Sequence, residues 1–326
     1  MPGLLLTPAQ VATLLDAAGL VAGVGSPLLG VPIADPLPTD HAERRELLDR
    51  WALVADADGD RPNAAVVAAL RACAEPDEVL WFGADGPDAA VTVCRRGRLF
   101  VDCSQRSDHR MSLVFPLDRA QVVLLATAAL SGERPEPAPS GFALRGPLSD
   151  AFLLRTIADV NTRHEGAVTI DRSDVIEAVE VALEEPREFV AISGYGREAD
   201  LRSVVDDGGR FDDAVTRLRA GNHLVAGEFR LSPHSTAVLD APVEAALGVG
   251  RRVIDGGADG GRRLAEAHLR IERRGERLVT SRVVSVEGEP HIEMVERTRA
   301  EVRSLVGVLL LGDTFDRIVA TSAAAG

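Results

Sequence analysis

Apolar and polar positions along this chain recur with two periods, and the switches between them mark out its elements. From Thr7 to Leu20 the apolar residues fall at helical spacing, with Thr7 placed to cap the first turn and Pro8 at the first helical position. His41 to Ala52 predicts a second helix, and Ala55 to Arg61 (ADADGDR) an acidic loop. Asn63 caps a third helix, Ala64 to Ala74, which Pro76 stops. The period then shortens to two. Glu78–Gly83, Ala89–Cys94, Arg98–Cys103 and Met111–Phe115 predict strands, with Arg96-Gly97 as a tight turn between two of them. Asp118 opens a helix reaching about Leu130, and Ser131 to Pro147 (SGERPEPAPSGFALRGP) predicts a linker rich in Pro and Gly.

The later part of the chain repeats this order. VVAALRACAEPDEVL (66–80) lies over VIEAVEVALEEPREFV (175–190), each an amphipathic helix ending at Glu-Pro and leading into an apolar strand. AVTVCRRGRLFVD (90–102) lies over LRIERRGERLVTS (269–281), each an alternating strand, an Arg-Arg-Gly turn and a second alternating strand. A further strand and a closing helix follow in both, Asp118–Leu130 and Thr298–Leu310. The Glu-Pro steps stand 110 residues apart and the Arg-Arg-Gly turns 178, so about 68 residues, near 197–265, are added in the second half. The expectation is an α+β fold of two quasi-repeated halves, 1–146 and 147–326, each an antiparallel sheet covered by helices.

Composition narrows the chemistry. The 36 cationic residues are all arginine, against 50 acidic ones. Without lysine there is no Walker-type phosphate loop and no Schiff-base catalysis. A net charge of -14 and a pI near 5.0 argue against a nucleic-acid partner. The uncharged run Ala17–Ala34 lacks a basic flank and is broken by Gly and Pro, so neither a signal peptide nor a membrane span is expected. Three cysteines (Cys73, Cys94, Cys103), odd in number and without CxxC spacing, point to a reducing, cytoplasmic setting.

The candidate motifs each compete with a plainer reading. Gly194-x-Gly196-x-x-Ala199 follows a predicted strand and precedes a helix, the position of a dinucleotide turn. That use needs an acidic residue ending the next parallel strand, whereas Asp212 and Asp213 open a predicted helix; a strand-to-helix turn is the simpler reading. Asp56, Asp58 and Asp60 have the spacing of a calcium loop, but Arg61 stands where Gly belongs and Val67 where Glu belongs. Asp255–Gly261 reads as a loop. Asp102, Cys103, Asp108 and His109 lie close in sequence, yet no HxxxH, HExxH or GxSxG occurs, and a buried strand cysteine beside a loop histidine is expected. The pairs Arg44-Arg45, Arg251-Arg252 and Arg262-Arg263 read as solvated faces. Trp81 and Tyr195 are the aromatic candidates, with core packing expected for Trp81.

The two Glu-Pro steps, Ala74-Glu75-Pro76-Asp77-Glu78 and Glu184-Glu185-Pro186-Arg187-Glu188, sit in runs that resemble the EspG family of ESX (type VII) secretion chaperones of actinobacteria. The resemblance spans most of 5–130 and extends over 150–196 and 266–312; the segment 197–265 departs from the family pattern. It implies a quasi-two-fold α/β architecture and a cytosolic, non-enzymatic protein without cofactor or metal. The implied partners are secreted helical proteins of PE–PPE or WXG100-like type, held soluble for export, with no nucleic acid and no membrane. It assigns no partner-binding residues. The alternative is a nucleotide- or small-molecule-binding α/β protein using Gly194, Gly196 and Ala199, which requires adjacent parallel strands at 187–194 and 223–230.

Overall fold

A computed structural model of the chain describes residues 3–23, 25–29, 55–58, 61–84, 91–106, 108–128, 136–163, 170–184, 202, 207–256, 262–287 and 289–312. The fold is α+β, with antiparallel sheet and eight helices among the described residues. It divides into two units with separate cores. The first comprises Met1–Ala129, Gly248–Ala267 and Val306–Phe315; the second comprises Leu130–Leu247, His268–Leu305 and Asp316–Gly326.

In the first unit, β1 (Gly3–Leu6) leads into α1 (Pro8–Ala17), and α2 (Ala64–Ala74) precedes the strands β2 (Glu78–Ala84), β3 (Val91–Arg96), β4 (Leu99–Gln105) and β5 (Met111–Leu117). Helix α3 (Arg119–Ala128) closes the series. The sheet order is β1-β5-β4-β3-β2, every pair antiparallel. The helix starts follow their sequence signals. The Gln10 N–H donates to Thr7 Oγ1 (3.2 Å) while the Thr7 N–H donates to Gln10 Oε1 (2.7 Å), a complete capping box. Asn63 Oδ1 accepts the Ala65 N–H (2.9 Å) and α2 runs over the residues the sequence predicts. Helix α1 stops at Ala17, short of the expected Leu20. The buried side chains of Leu14, Leu70, Cys73, Cys94, Val101 and Leu113 form this unit's core.

In the second unit, β6 (Ala143–Pro147) runs into α4 (Leu148–Arg163), followed by α5 (Arg172–Glu184), α6 (Gly208–Ala220) and α7 (Pro233–Leu239). The long β7 (Val243–Gly256), β8 (Arg262–Arg274), β9 (Arg277–Val286), β10 (Glu289–Arg297) and α8 (Arg299–Leu311) complete the chain. The order β8-β9-β10-β6 is antiparallel throughout. Phe142, Leu153, Ile157, Phe211, Leu218 and Val238 are among its core residues. Asp150, buried in the first turn of α4, accepts a bidentate pair from Arg217 of α6 (2.7 and 2.8 Å) and ties the two helices. Strands β7 and β8 and helix α8 each carry residues of both units.

The two units share an edge-strand pairing and a hairpin turn. A short edge strand followed at once by a helix pairs with the last strand of a three-strand meander: β1 with β5, β6 with β10. Both meanders turn through Arg-Arg-Gly in the same way. Arg96 pairs with Leu99 around Gly97 (φ 58°), and Arg274 pairs with Arg277 around Gly275 (φ 57°). A two-residue hairpin turn requires that left-handed glycine.

Two expectations need correction or fall elsewhere. The Pro- and Gly-rich stretch Ser131–Pro147 is not a linker to its end. Ala143–Pro147 is β6, paired with His291–Val295, because Phe142 and Leu144 bury their side chains there, and Pro147 ends an edge strand, where a missing N–H is tolerated. The span 197–265 contributes α6, α7, β7 and the first residues of β8, and Phe211, Ala214 and Leu218 of α6 lie in the second unit's core. The predicted helix His41–Ala52 and the predicted strand at 187–194 lie outside the described residues.

One close approach fixes β2 against its neighbour β7. A Cβ placed on Gly250 would lie 2.1 Å from the Trp81 ring, so only glycine leaves room for the indole. Gly250→Ala is expected to destabilise the fold by about 1–3 kcal/mol in urea unfolding, and Trp81→Leu in the same chain to recover most of the loss. Additive losses in the double variant would refute the clash.

Candidate partner-binding surface

Inside each unit a carboxylate is held by arginines. On β8, alternation puts Arg270, Glu272 and Arg274 on one face. Glu272 is wholly buried: Oε1 accepts from Arg155 of α4 (2.6 Å) and from Arg270 (2.9 Å), and Oε2 from Arg274 (3.1 Å). Burial pushes this carboxyl up, but the guanidiniums of Arg155, Arg274 and Arg270 outweigh it and bring it down to about 2. Arg274 also donates to the carbonyls of Leu239 and Ala241 (3.2 and 3.1 Å), anchoring the end of α7.

In the first unit Glu78 Oε1 accepts from Arg95 of β3 and Arg251 of β7, both at 3.0 Å. Arg251 also reaches the carbonyls of Leu309 (3.3 Å) and Gly312 (2.7 Å) at the end of α8, where a cation opposes the helix dipole. The expectation that Arg251-Arg252 is a solvated pair is therefore wrong for Arg251, which is buried. Its guanidinium can enter the interior because Nη2 reaches the Glu78 carboxylate and Nη1 the two carbonyls, although among the described residues the buried Nε has no hydrogen-bond partner. Arg252 lies over the Trp81 ring, 5.7 Å from its centroid, and Trp81 is half-buried against the first core.

Two histidines meet in the second unit, a pairing the sequence did not signal. His223 and His234 have ring centroids 5.4 Å apart, with Phe142 packed edge-on to His223. His223 Nδ1 lies 3.3 Å from Ser235 Oγ, and His234 Nδ1 lies 2.9 Å from Ser232 Oγ. Burial, reinforced by the facing His234, lowers His223 to about 4. The three cysteines also converge, from α2, β3 and β4, in the first core. Burial pushes the Cys73 thiol well above its ordinary range, whereas hydrogen bonds from Cys73 and Cys94 bring Cys103 down to about 5.

The described sequence-predicted residues lie on separate elements. Asp102 and Cys103 lie on β4, whereas Asp108 and His109 lie in the loop before β5, where Asp108 is bound to Arg110 (2.6 Å). Asp56 accepts the Asp58 N–H in a local turn. Asp212 and Asp213 lie within α6, with Asp212 paired to Arg172 (3.0 Å). Among the described residues no group of three or more His, Cys, Asp or Glu side chains could hold a metal. Gly194, Gly196, Ala199 and Tyr195 lie outside the described residues. The strand that the dinucleotide reading needs at 223–230 is instead a turn closed by the Leu224–Leu231 bridge and held to α4 by Asn161, which donates to the Phe229 carbonyl (2.9 Å).

The surface offers apolar side chains on helices. Leu124 (67%) and Leu125 (42%) are exposed on α3, whereas Val122 and Ala126 are buried. Val181 of α5 and Val308 of α8 are also exposed. Among the described residues no helix is long and apolar enough to cross a membrane.

No family model matches the chain, and no curated protein matches it in sequence. Solved structures do match its fold. One is the Mycobacterium tuberculosis type VII secretion system chaperone EspG5 in complex with the PE25–PPE41 dimer, at a TM-score of 0.52 and 12% identity. The match covers 94% of this chain and 95% of that one. The fold is EspG-like. An EspG-like fold here rests on buried arginine–carboxylate ties, and these ties set its acid response.

Because Glu272 titrates near 2 in the fold against an ordinary 4.5, its contribution is complete above about pH 5 and is lost as pH falls towards 2, on the order of 3 kcal/mol in all. His223 acts in the same direction over a higher window: held neutral in the fold, it withdraws stability as pH falls from 6.5 to about 4. Urea unfolding of wild type, Glu272→Gln and His223→Gln between pH 7 and 3 should show two separable slopes. His223→Gln is expected to flatten the upper one. Glu272→Gln is expected to lose about 3–5 kcal/mol at pH 7, since three guanidiniums are left without their carboxylate, and to flatten the lower one.

Proposed function

We propose that this chain is a non-enzymatic cytoplasmic chaperone of the EspG type. In this reading it binds secreted helical proteins of the PE–PPE or WXG100-like kind and keeps them soluble for type VII (ESX) export. The observation that carries the reading is the EspG-like fold over 94% of the chain, in a neighbour whose structure includes a PE–PPE dimer. The physics is compatible: an exported helical hairpin with an exposed apolar tip aggregates unless a partner covers it. Exposed leucines such as those of α3 are the kind of side chain that can supply such cover.

The same reading takes residues 1–146 and 147–326 as two copies of one module, the second enlarged near 197–265. Its support is the shared order of edge strand, helix and meander, and the matched Arg-Arg-Gly turns. The nucleotide-binding alternative, built on Gly194, Gly196 and Ala199, lacks its second strand at 223–230.

The test is co-expression with each PE–PPE-like pair of the same genome, followed by affinity capture and size-exclusion chromatography. A stoichiometric complex with at least one pair, and recovery of that pair in soluble form only when this chain is present, is expected. Capture of none, together with a raised melting temperature in NAD or ATP, overturns the reading.

A further inference from the structure

The β3–β4 turn, the end of β5 and the start of α3 border an open cavity of about 390 Å³, within the range of small-ligand pockets. Its floor is apolar: Phe100 and Leu117 face each other across β4 and β5, and both are buried. Its walls are cationic. Arg95 is already engaged, donating to Glu78 (3.0 Å) and to the Gly97 carbonyl (2.9 Å) with its guanidinium over Phe100. Arg98 and Arg119 are exposed and, among the described residues, have neither an ion-pair nor a hydrogen-bond partner. In a chain with 50 acidic residues against 36 arginines, two unengaged guanidiniums on one cavity form a local reversal of charge.

The donors around the cavity select the kind of anion. Backbone N–H groups and helix N-termini are the usual cradle of phosphate. Here the Gly97 N–H is taken by Asp77 (2.7 Å), and the first turn of α3 is capped by Asp118, which accepts from the Gln121 N–H (2.8 Å). Asp118 also lines the cavity and repels a doubly charged group. What is left is a pair of planar forks above an apolar floor. That combination suits a single carboxylate attached to an apolar neighbour.

We propose that this cavity binds an acidic peptide segment. Arg98 and Arg119 hold an Asp or Glu carboxylate, and an adjacent apolar side chain of the segment rests on Phe100 and Leu117. The assignment stands on the cavity itself and does not depend on the chaperone reading.

The experiment is a titration of the isotope-labelled full chain by NMR, using the blocked peptide acetyl-Leu-Glu-Leu-amide and its Glu-to-Gln analogue. Saturable shifts at Gly97, Arg98, Phe100, Leu117 and Arg119 are expected with the Glu peptide, with affinity at least roughly tenfold lower for the Gln analogue. The double variant Arg98→Gln, Arg119→Gln should lose the response while keeping the wild-type melting temperature, because both side chains are exposed. No saturable response to the Glu peptide, equal responses to both peptides, or a response retained in the double variant overturns the proposal. So does a stronger response at these positions to inorganic phosphate.

Discussion

The carboxylate of Glu272 has no route to water, and the second unit is organised around satisfying it. A lone buried carboxylate would be strongly destabilising; one that accepts from Arg155, Arg270 and Arg274 becomes a cross-brace between α4 and β8. Through Arg274 the brace extends to the last residues before β7. Glu78 plays the corresponding part in the first unit, where Arg251 carries the tie from β2 to the final turn of α8. Both devices depend on arginine. An ammonium carries its donors on a single nitrogen, whereas the guanidinium of Arg251 addresses a carboxylate from Nη2 and two carbonyls from Nη1, in one plane.

Among the described residues, several buried ionisable groups brace the framework. The buried Glu272, Glu78 and Asp150 accept from arginines, the three thiols lie together in the first core, and His223 sits in a pocket made with Phe142 and Ser235. An EspG-like fold built in this way offers its surroundings shaped surfaces: exposed leucines on α3, a half-buried tryptophan under Arg252, and a cavity with two unengaged guanidiniums.

Much of the scaffold is legible from local rules. Asn63, Thr7 and the Arg-Arg-Gly turns each act over three or four residues, and α2, the α1 cap and both hairpins follow from them. What local rules miss is set by distant partners. Ala143–Pro147 reads as linker until β10 supplies its pairing, and Arg251 reads as solvated until Glu78, 173 residues away, is brought beside it. The face of β8 bearing Arg270, Glu272 and Arg274 has the alternation of a wet surface, and only Arg155 of α4 shows that it is covered. The His223–His234 contact is of the same kind, formed by the turn between α6 and α7. The candidate cavity combines residues from β3, β4, β5 and α3, and its charge is visible only once the paired arginines are told apart from the free ones.

The first unit is interrupted in sequence: its residues up to Ala129 are completed by Gly248–Ala267 and Val306–Phe315. On a ribosome its opening strands and helices emerge long before the strand that packs Gly250 against Trp81 or the carbonyls that receive Arg251. The last of these segments ends 186 residues after Ala129. At ordinary synthesis rates that is a delay of roughly 10–40 s. Until β7 is made, β2 lacks the neighbour it has in the finished fold. The first unit can therefore be completed only near the end of the chain's own synthesis.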